Sequence, residues 1–191
     1  MKIALFQMTA GIDPAQNVDA LVQAIEAAAA AGAAMIFTPE MSGLLDSNRH
    51  RARAHICTEE EDPVLGAVRA AARKFGIWVH LGSLALQGAE RLVNRGFVID
   101  DQGAIKARYD KQHLFDVDLP NGETWRESNT YTGGQEAIAV DLPWARLGLT
   151  ICYDVRFPYL YRGLAQAGCG ILSAPACFTR QTGEAHWSVL H

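Results

Sequence analysis

The first forty residues limit the fold more than any other stretch. Residues 2–8, KIALFQM, form a short apolar run suited to a buried strand. After Asp13 and Pro14, apolar residues recur at Val18, Leu21, Val22 and Ile25, which is helical spacing. The Ala-rich continuation meets Gly32 where a left-handed cap belongs, and residues 35–39, MIFTP, are a second short apolar run. Strand, helix and strand in that order make a β-α-β opening and point to the α/β class.

The same signals continue along the chain. Asp62-Pro63 starts a helix that Val64, Leu65, Val68, Ala72 and Phe75 carry to Gly76. Residues 77–86, 93–99 and 104–109 read as strands, the last two joined by the turn cluster 100–103. Residues 114–134 are polar and turn-rich, with Pro120, Asn121-Gly122 and Gly133-Gly134, and are expected to be an ordered functional loop. Strands at 137–142 and 146–151 flank Pro143-Trp144. Pro158 opens a helix ending near Gly168, a strand follows at 170–174, and a last helix is expected to start around 183–186. This amounts to about eight strands and four helices, with mixed strand pairing.

Composition narrows the function. At about 150 residues per domain, 191 residues, 49% of them hydrophobic, make one domain spanning 1–191. The chain stops at His191 inside a helical pattern without a cap, so it is expected to be C-terminally incomplete. A net charge of −4 provides no basic excess for nucleic acid. No apolar run approaches the roughly 20 residues that cross a bilayer, and the first residues make no signal-peptide core, so a soluble cytoplasmic protein is expected. Cys57, Cys152, Cys169 and Cys177 form no CxxC pair, which suits reduced thiols. The six histidines show no HxH or HExxH spacing, so no metal is expected, and neither GxGxxG nor GxxxxGK[ST] occurs to cradle a nucleotide.

Three residues sit where α/β enzymes place reactive groups. Cys152 follows the apolar run 147–151 just before a helical segment, and a strand-to-helix turn offers backbone N–H groups to an oxyanion. Glu40 ends the second strand as a candidate general base. Lys111 stands just past the 104–109 strand and could stabilise a negative oxygen. Taken singly, a buried structural cysteine and two exposed surface charges explain them as well.

Together, TPEMSG around Glu40, RYDKQHLFDVDLP around Lys111 and GLTICYDVRFP around Cys152 resemble the three signatures of the nitrilase superfamily of carbon-nitrogen hydrolases. The resemblance is to its amidase branch, which includes omega-amidase and deaminated glutathione amidase. It implies a four-layer α-β-β-α sandwich with mixed sheets, pairing as a homodimer or higher homo-oligomer, and a Glu40, Lys111, Cys152 catalytic set needing no cofactor. It further implies that Lys111 and the Tyr153 backbone N–H hold the oxyanion, and that Glu127 helps position Lys111 and a small-molecule amide substrate. Arg156, in CYDVRFP, would grip a substrate carboxylate; an ion pair with Asp154 is the equal alternative. N-carbamoyl compounds and nitriles are the rival substrates, an inactive truncated fragment is a reading of another class, and a redox role stays open for Cys152 and Cys177.

Overall fold

A computed structural model describes residues 1–119 and 121–191; Pro120, one of the turn residues above, lies outside the described residues. Two helices begin as their sequences dictate. In α1 (Pro14–Ala30) the Asp13 side chain accepts the Ala15 N–H at 2.9 Å, and Leu21, Ile25 and Ala28 are buried on one face. The 63–75 helix (Pro63–Phe75) is capped by Asp62, whose Oδ1 accepts the Leu65 N–H at 2.8 Å, and it ends at Gly76 with φ 63°. It is α3 in chain order, because the short charged stretch Arg49–Arg53 forms α2.

The helices α1 and α3 lie on a five-stranded sheet of β1 (Ile3–Leu5), β2 (Met35–Phe37), β3 (Trp78–Gln87), β4 (Leu92–Ile99) and β5 (Ile105–Asp110), in spatial order 1-2-3-4-5. The pairs β1·β2 and β2·β3 are parallel, while β3·β4 and β4·β5 are antiparallel, so the pairing is mixed. The loop at 114–134 contains a small hairpin of β6 (Asp116–Asp118) and β7 (Thr124–Arg126), followed by a single 3-10 turn. A second sheet holds β8 (Ile138–Asp141), β9 (Arg146–Leu149) and β10 (Ile171–Leu172) in order 10-9-8. Against β9 packs α4 (Pro158–Gln166), and α5 (Arg180–Leu190) closes the chain.

The strand period of two explains the layering. Phe97 and Ile99 of β4 enter the core under α1 and α3, whereas Val98 between them enters a second core facing β9. Likewise Ile36 of β2 faces the helices and Met35 faces the other sheet, where Leu147, Leu149 and Ile151 meet it. On the outer face of the second sheet Leu160 and Leu164 of α4 are buried. The architecture is therefore the expected α-β-β-α sandwich, and strands buried on both faces account for the unbroken apolar runs.

Three expectations are corrected. Described strands number ten, because the hairpin β6·β7 was hidden in a segment read as loop. The last helix starts at Arg180, since the Thr179 hydroxyl caps the Thr182 N–H, and Gly183 lies inside it. Described α-helices number five, because the charged stretch Arg49–Arg53 forms the short exposed α2, capped by Asn48 and tied by the Arg51–Asp46 ion pair. No helix among the described residues is long and apolar enough to cross a membrane.

Gly82 on β3 is where the sheet presses hardest on the chain leaving β2. A Cβ there would run into the carbonyl oxygens of Thr38 and Pro39, which are backbone and cannot swing aside. Gly82→Ala is therefore expected to lower unfolding free energy by about 2–3 kcal/mol, the usual cost of overpacking. Urea denaturation measures this, and an unchanged midpoint would remove the claimed contact.

Candidate active site

Three strand ends converge. Glu40 leaves β2 in a segment clamped to β3: the Thr38 N–H donates to the His80 carbonyl at 3.0 Å and the Met41 N–H to Ser83 Oγ at 2.9 Å. Lys111 stands one residue past β5, its N–H donating to the Asn94 carbonyl on β4 at 2.9 Å. Cys152 follows β9 at the start of a 3-10 turn, Cys152–Arg156, and its N–H donates to the Pro175 carbonyl beyond β10 at 2.8 Å. Met41 and Cys152, with φ of 55° and 50°, are the non-glycine residues in left-handed backbone among those described. Such conformations cost of order 1–3 kcal/mol each and persist only where surrounding bonds hold them.

The side chains form one network. Lys111 Nζ donates to Glu40 Oε1 at 3.0 Å and to Glu127 Oε2 at 3.0 Å, with Lys111 and Glu40 each 3% exposed. Asn94 Nδ2 donates to the same Glu40 Oε1 at 2.9 Å and lies 3.4 Å from Glu127 Oε1. Glu127 in turn accepts the Phe115 N–H at 2.6 Å, which ties the network to the 114–134 segment. The other oxygen of Glu40, Oε2, accepts the Cys177 N–H at 3.0 Å and the Cys177 thiol at 2.9 Å.

These contacts set the charges. Burial alone would raise the Glu40 carboxyl, but the Lys111 charge and hydrogen bonds from Cys177, Cys152 and Lys111 outweigh it and hold the group below its ordinary range. Burial opposes the charge of Lys111, yet Glu40 and Glu127 push its ammonium well above the usual lysine value. Burial and the Glu40 charge drive the Cys152 thiol well up, with only partial opposition from Lys111. At neutral pH the site therefore holds a carboxylate, an ammonium and a neutral thiol.

Behind the thiol lies a second, fully buried carboxylate. Asp154 Oδ2 accepts the Tyr109 hydroxyl at 2.7 Å and the Ile151 N–H at 2.8 Å. Asp154 Oδ1 accepts the His113 N–H at 3.0 Å and faces His113 Nδ1 at 2.6 Å. Tyr109 and His113 bracket Lys111, so Asp154 fastens the lysine segment to the cysteine turn. His113 also stacks on Phe157 with ring centroids 3.7 Å apart, and its Nε2 pairs with the Tyr159 hydroxyl.

Cys152 opens into a cleft of about 1180 Å³ walled by Phe115, Trp125, Tyr131, Tyr153 and Phe178. Arg156 lines it too. Asp154 does not pair with it: one guanidinium nitrogen, Nη2, lies 2.9 Å from His186 Nδ1, its head packs near the rings of Tyr153 and Phe178, and its buried Nε has no partner. The structure thus brings Glu40, Lys111, Cys152, Glu127, Tyr153 and Arg156 to one place. Asn94 and the contact of Cys177 with Glu40 were not foreseen. An asparagine within the apolar strand LVNRGFVI was the available signal, since a buried polar side chain must have a partner.

Residues 2–191 match the carbon-nitrogen hydrolase family. The chain is 38% identical over 192 residues to deaminated glutathione amidase of Yersinia enterocolitica, covering 98% of this chain and 66% of that protein. It resembles the crystal structure of the Caenorhabditis elegans NitFhit protein with a TM-score of 0.89 and 36% identity, over 98% of this chain and 46% of that one. An amidase from Nesterenkonia sp. matches with a TM-score of 0.81 and 28% identity, over 97% of this chain and 68% of that one. A further structure of that amidase carries the product of Michael addition of acrylamide at its active site cysteine. The chain thus spans about two thirds or less of the length of these proteins.

Asp154→Asn turns one of the two acceptor oxygens into an NH2 group, which then faces either the Ile151 N–H or the His113 N–H as donor against donor. It should lower unfolding free energy by at least about 2 kcal/mol. Tyr109→Phe, which removes a single hydrogen bond, should cost about 1 kcal/mol. Equal midpoints for wild type and Asp154→Asn in urea would show that this carboxylate does not join the two segments.

Proposed function

Because the chain belongs to the carbon-nitrogen hydrolase family, we propose that it hydrolyses the carbon-nitrogen bond of a small ω-amide through a thioester on Cys152. The observation that carries this reading is the buried pair of Glu40 and Lys111, 3.0 Å apart, in the wall of the cleft that Cys152 also lines. Glu40 takes the Cys152 proton as Sγ attacks the amide carbon. Lys111 Nζ and the Tyr153 backbone N–H take the negative oxygen. Glu40 returns the proton to the departing nitrogen, ammonia leaves, and the acyl group stays on sulfur. Glu40 then deprotonates a water that attacks the thioester, the carbon-sulfur bond breaks, the leaving sulfur takes the proton back from Glu40, and the carboxylic acid departs with the free thiol and the carboxylate restored. Glu127 holds Lys111 in place from the opposite side.

Arg156 supports a substrate bearing a carboxylate, such as a keto-acid amide or a deaminated-glutathione-like compound. Arg156 lines the cleft with a buried Nε that has no partner, and the acid nearest to it in sequence, Asp154, already has both oxygens occupied. The 38% identity to a deaminated glutathione amidase supports the same class. The proposal takes residues 1–191 as one catalytic domain. Four free cysteines suit the reducing cytoplasm. Exposed Tyr159 on α4 and Trp187 and Val189 on α5 suit a homodimer or higher homo-oligomer.

Ammonia release from keto-acid ω-amides tests the reading. Cys152→Ala should reduce it by at least about 1000-fold, and mass spectrometry of quenched wild type should find the acyl group on Cys152. Ammonia release by Cys152→Ala at the wild-type rate would sink the proposal. Arg156→Ala should raise KM about 10- to 100-fold for a carboxylate-bearing amide and leave a neutral amide of equal length unaffected. An equal effect on both would assign Arg156 to the wall and not to the substrate.

The pH dependence follows from the charges. Glu40 must be ionised and its carboxyl titrates below the ordinary range, while Cys152 must begin as a thiol and titrates well above its ordinary value. Activity is therefore lost only as pH falls through the depressed Glu40 value or rises through the elevated Cys152 value. The expected kcat/KM profile is flat from about pH 5.5 to 8.5. A limb near neutrality would contradict it.

A further inference from the structure

The mechanism above leaves one half-buried nucleophilic group beside Glu40 unused. Cys177 lies in the segment between β10 and α5, and it meets Glu40 through two atoms: its backbone N–H and its thiol both donate to Oε2, at 3.0 and 2.9 Å. The other oxygen, Oε1, is held by Asn94 and by the Lys111 ammonium. The two carboxylate oxygens therefore differ. Oε1 is neutralised by a full positive charge, whereas Oε2 faces an amide and an S–H, a weak donor. Oε2 is the oxygen that can take up a proton without losing a charged partner.

We propose that Cys177 is a positioning residue for amide cleavage, its backbone and thiol together holding Oε2 of Glu40 as the oxygen that receives the Cys152 proton and gives it back. This rests on the amidase reading of the same site. A thiol fits the task because sulfur works in both directions. While Glu40 is ionised the S–H donates to Oε2. Once Oε2 carries a proton, its remaining lone pair suffices for the Cys177 N–H, and the thiol can turn so that sulfur accepts. No proton is gained or lost by Cys177 over the cycle: burial and the Glu40 charge hold its thiol well above the ordinary range, so it remains S–H throughout.

The kcat/KM profile of wild type, Cys177→Ala and Cys177→Ser, followed by ammonia release, reads this directly. A donor to the ionised carboxylate favours ionisation, so its loss in Cys177→Ala should move the acid limb upward by about 0.5 to 1 pH unit. Cys177→Ser restores a donor and should bring the limb back to the wild-type position or below it. A cysteine that only fills space would lower kcat or stability and leave the limb in place. An unmoved limb in Cys177→Ala, or a limb in Cys177→Ser displaced as far as in Cys177→Ala, overturns the proposal. The same three proteins are also alkylated with iodoacetamide across the pH range, with modification of Cys152 read by peptide mass spectrometry. That reaction needs Glu40 ionised but needs no amide. If wild type releases no ammonia from any amide, the amidase reading fails, and the alkylation limb still decides the role of Cys177.

Discussion

A buried ammonium between two carboxylates organises this molecule. Lys111, Glu40 and Glu127 are drawn from three distant parts of the chain, and Lys111 and Glu40 are almost wholly removed from water. Charges so placed are tolerable only when each has partners of good geometry. The chain meets that requirement with groups fixed by the fold: the Asn94 amide from the middle of β4, the Cys177 backbone beyond β10 and the Phe115 N–H at the hairpin loop. Two carboxylates against one ammonium leave a net negative site. Burial and the Glu40 charge keep the neighbouring Cys152 thiol protonated at rest, against only partial opposition from Lys111.

The four layers serve this network. Each reactive side chain stands at the carboxyl end of a strand, and the two sheets must face each other for β2, β5 and β9 to end together. The double-sided burial of Ile36 with Met35, and of Phe97 and Ile99 with Val98, supplies the apolar area that holds the sheets in register. The strained backbone at Met41 and Cys152 sits where the strands hand over to the site. In both places the strain is held by bonds to a neighbouring element, Ser83 for Met41 and Pro175 for Cys152.

Elements with a strong apolar period and a polar cap were legible before any coordinates. Asp13-Pro14 and Asp62-Pro63 start helices where expected, and the left-handed Gly76 ends one. The hairpin β6·β7 was not legible because DVD and TWR carry one apolar residue each, too short a run to show a strand period; polar bonds hold it, with Arg126 reaching Asp118 and Asp116 binding Ser128. The helix α2 is not among the four helices expected, because its five residues bury none of their side chains and so show no apolar period. Glu40, Lys111 and Cys152 could be picked out by their strand-end positions and short motifs. Asn94 showed only as a polar side chain in an apolar strand and Cys177 only as a second thiol, and their bond to Glu40 could not be read, for they meet it across 54 and 137 residues and no local spacing records that meeting.

The run CYDVR shows how adjacent residues come to divide the work. Asp154 and Arg156 carry opposite charges two positions apart, and local attraction alone would join them. Asp154 is instead turned inward, where the Tyr109 hydroxyl and the N–H groups of Ile151 and His113 occupy its oxygens at 2.7 to 3.0 Å. Pairing with Arg156 as well would require donors where the acceptor sites are already filled. The guanidinium is left against Tyr153, Phe178 and His186, with a buried Nε unanswered by the protein. An orphaned donor of that kind costs about 1–3 kcal/mol unless something outside the chain meets it. In the proposed reaction a substrate carboxylate is that partner, and the packing that secures the cysteine turn is also what keeps Asp154 from taking its place.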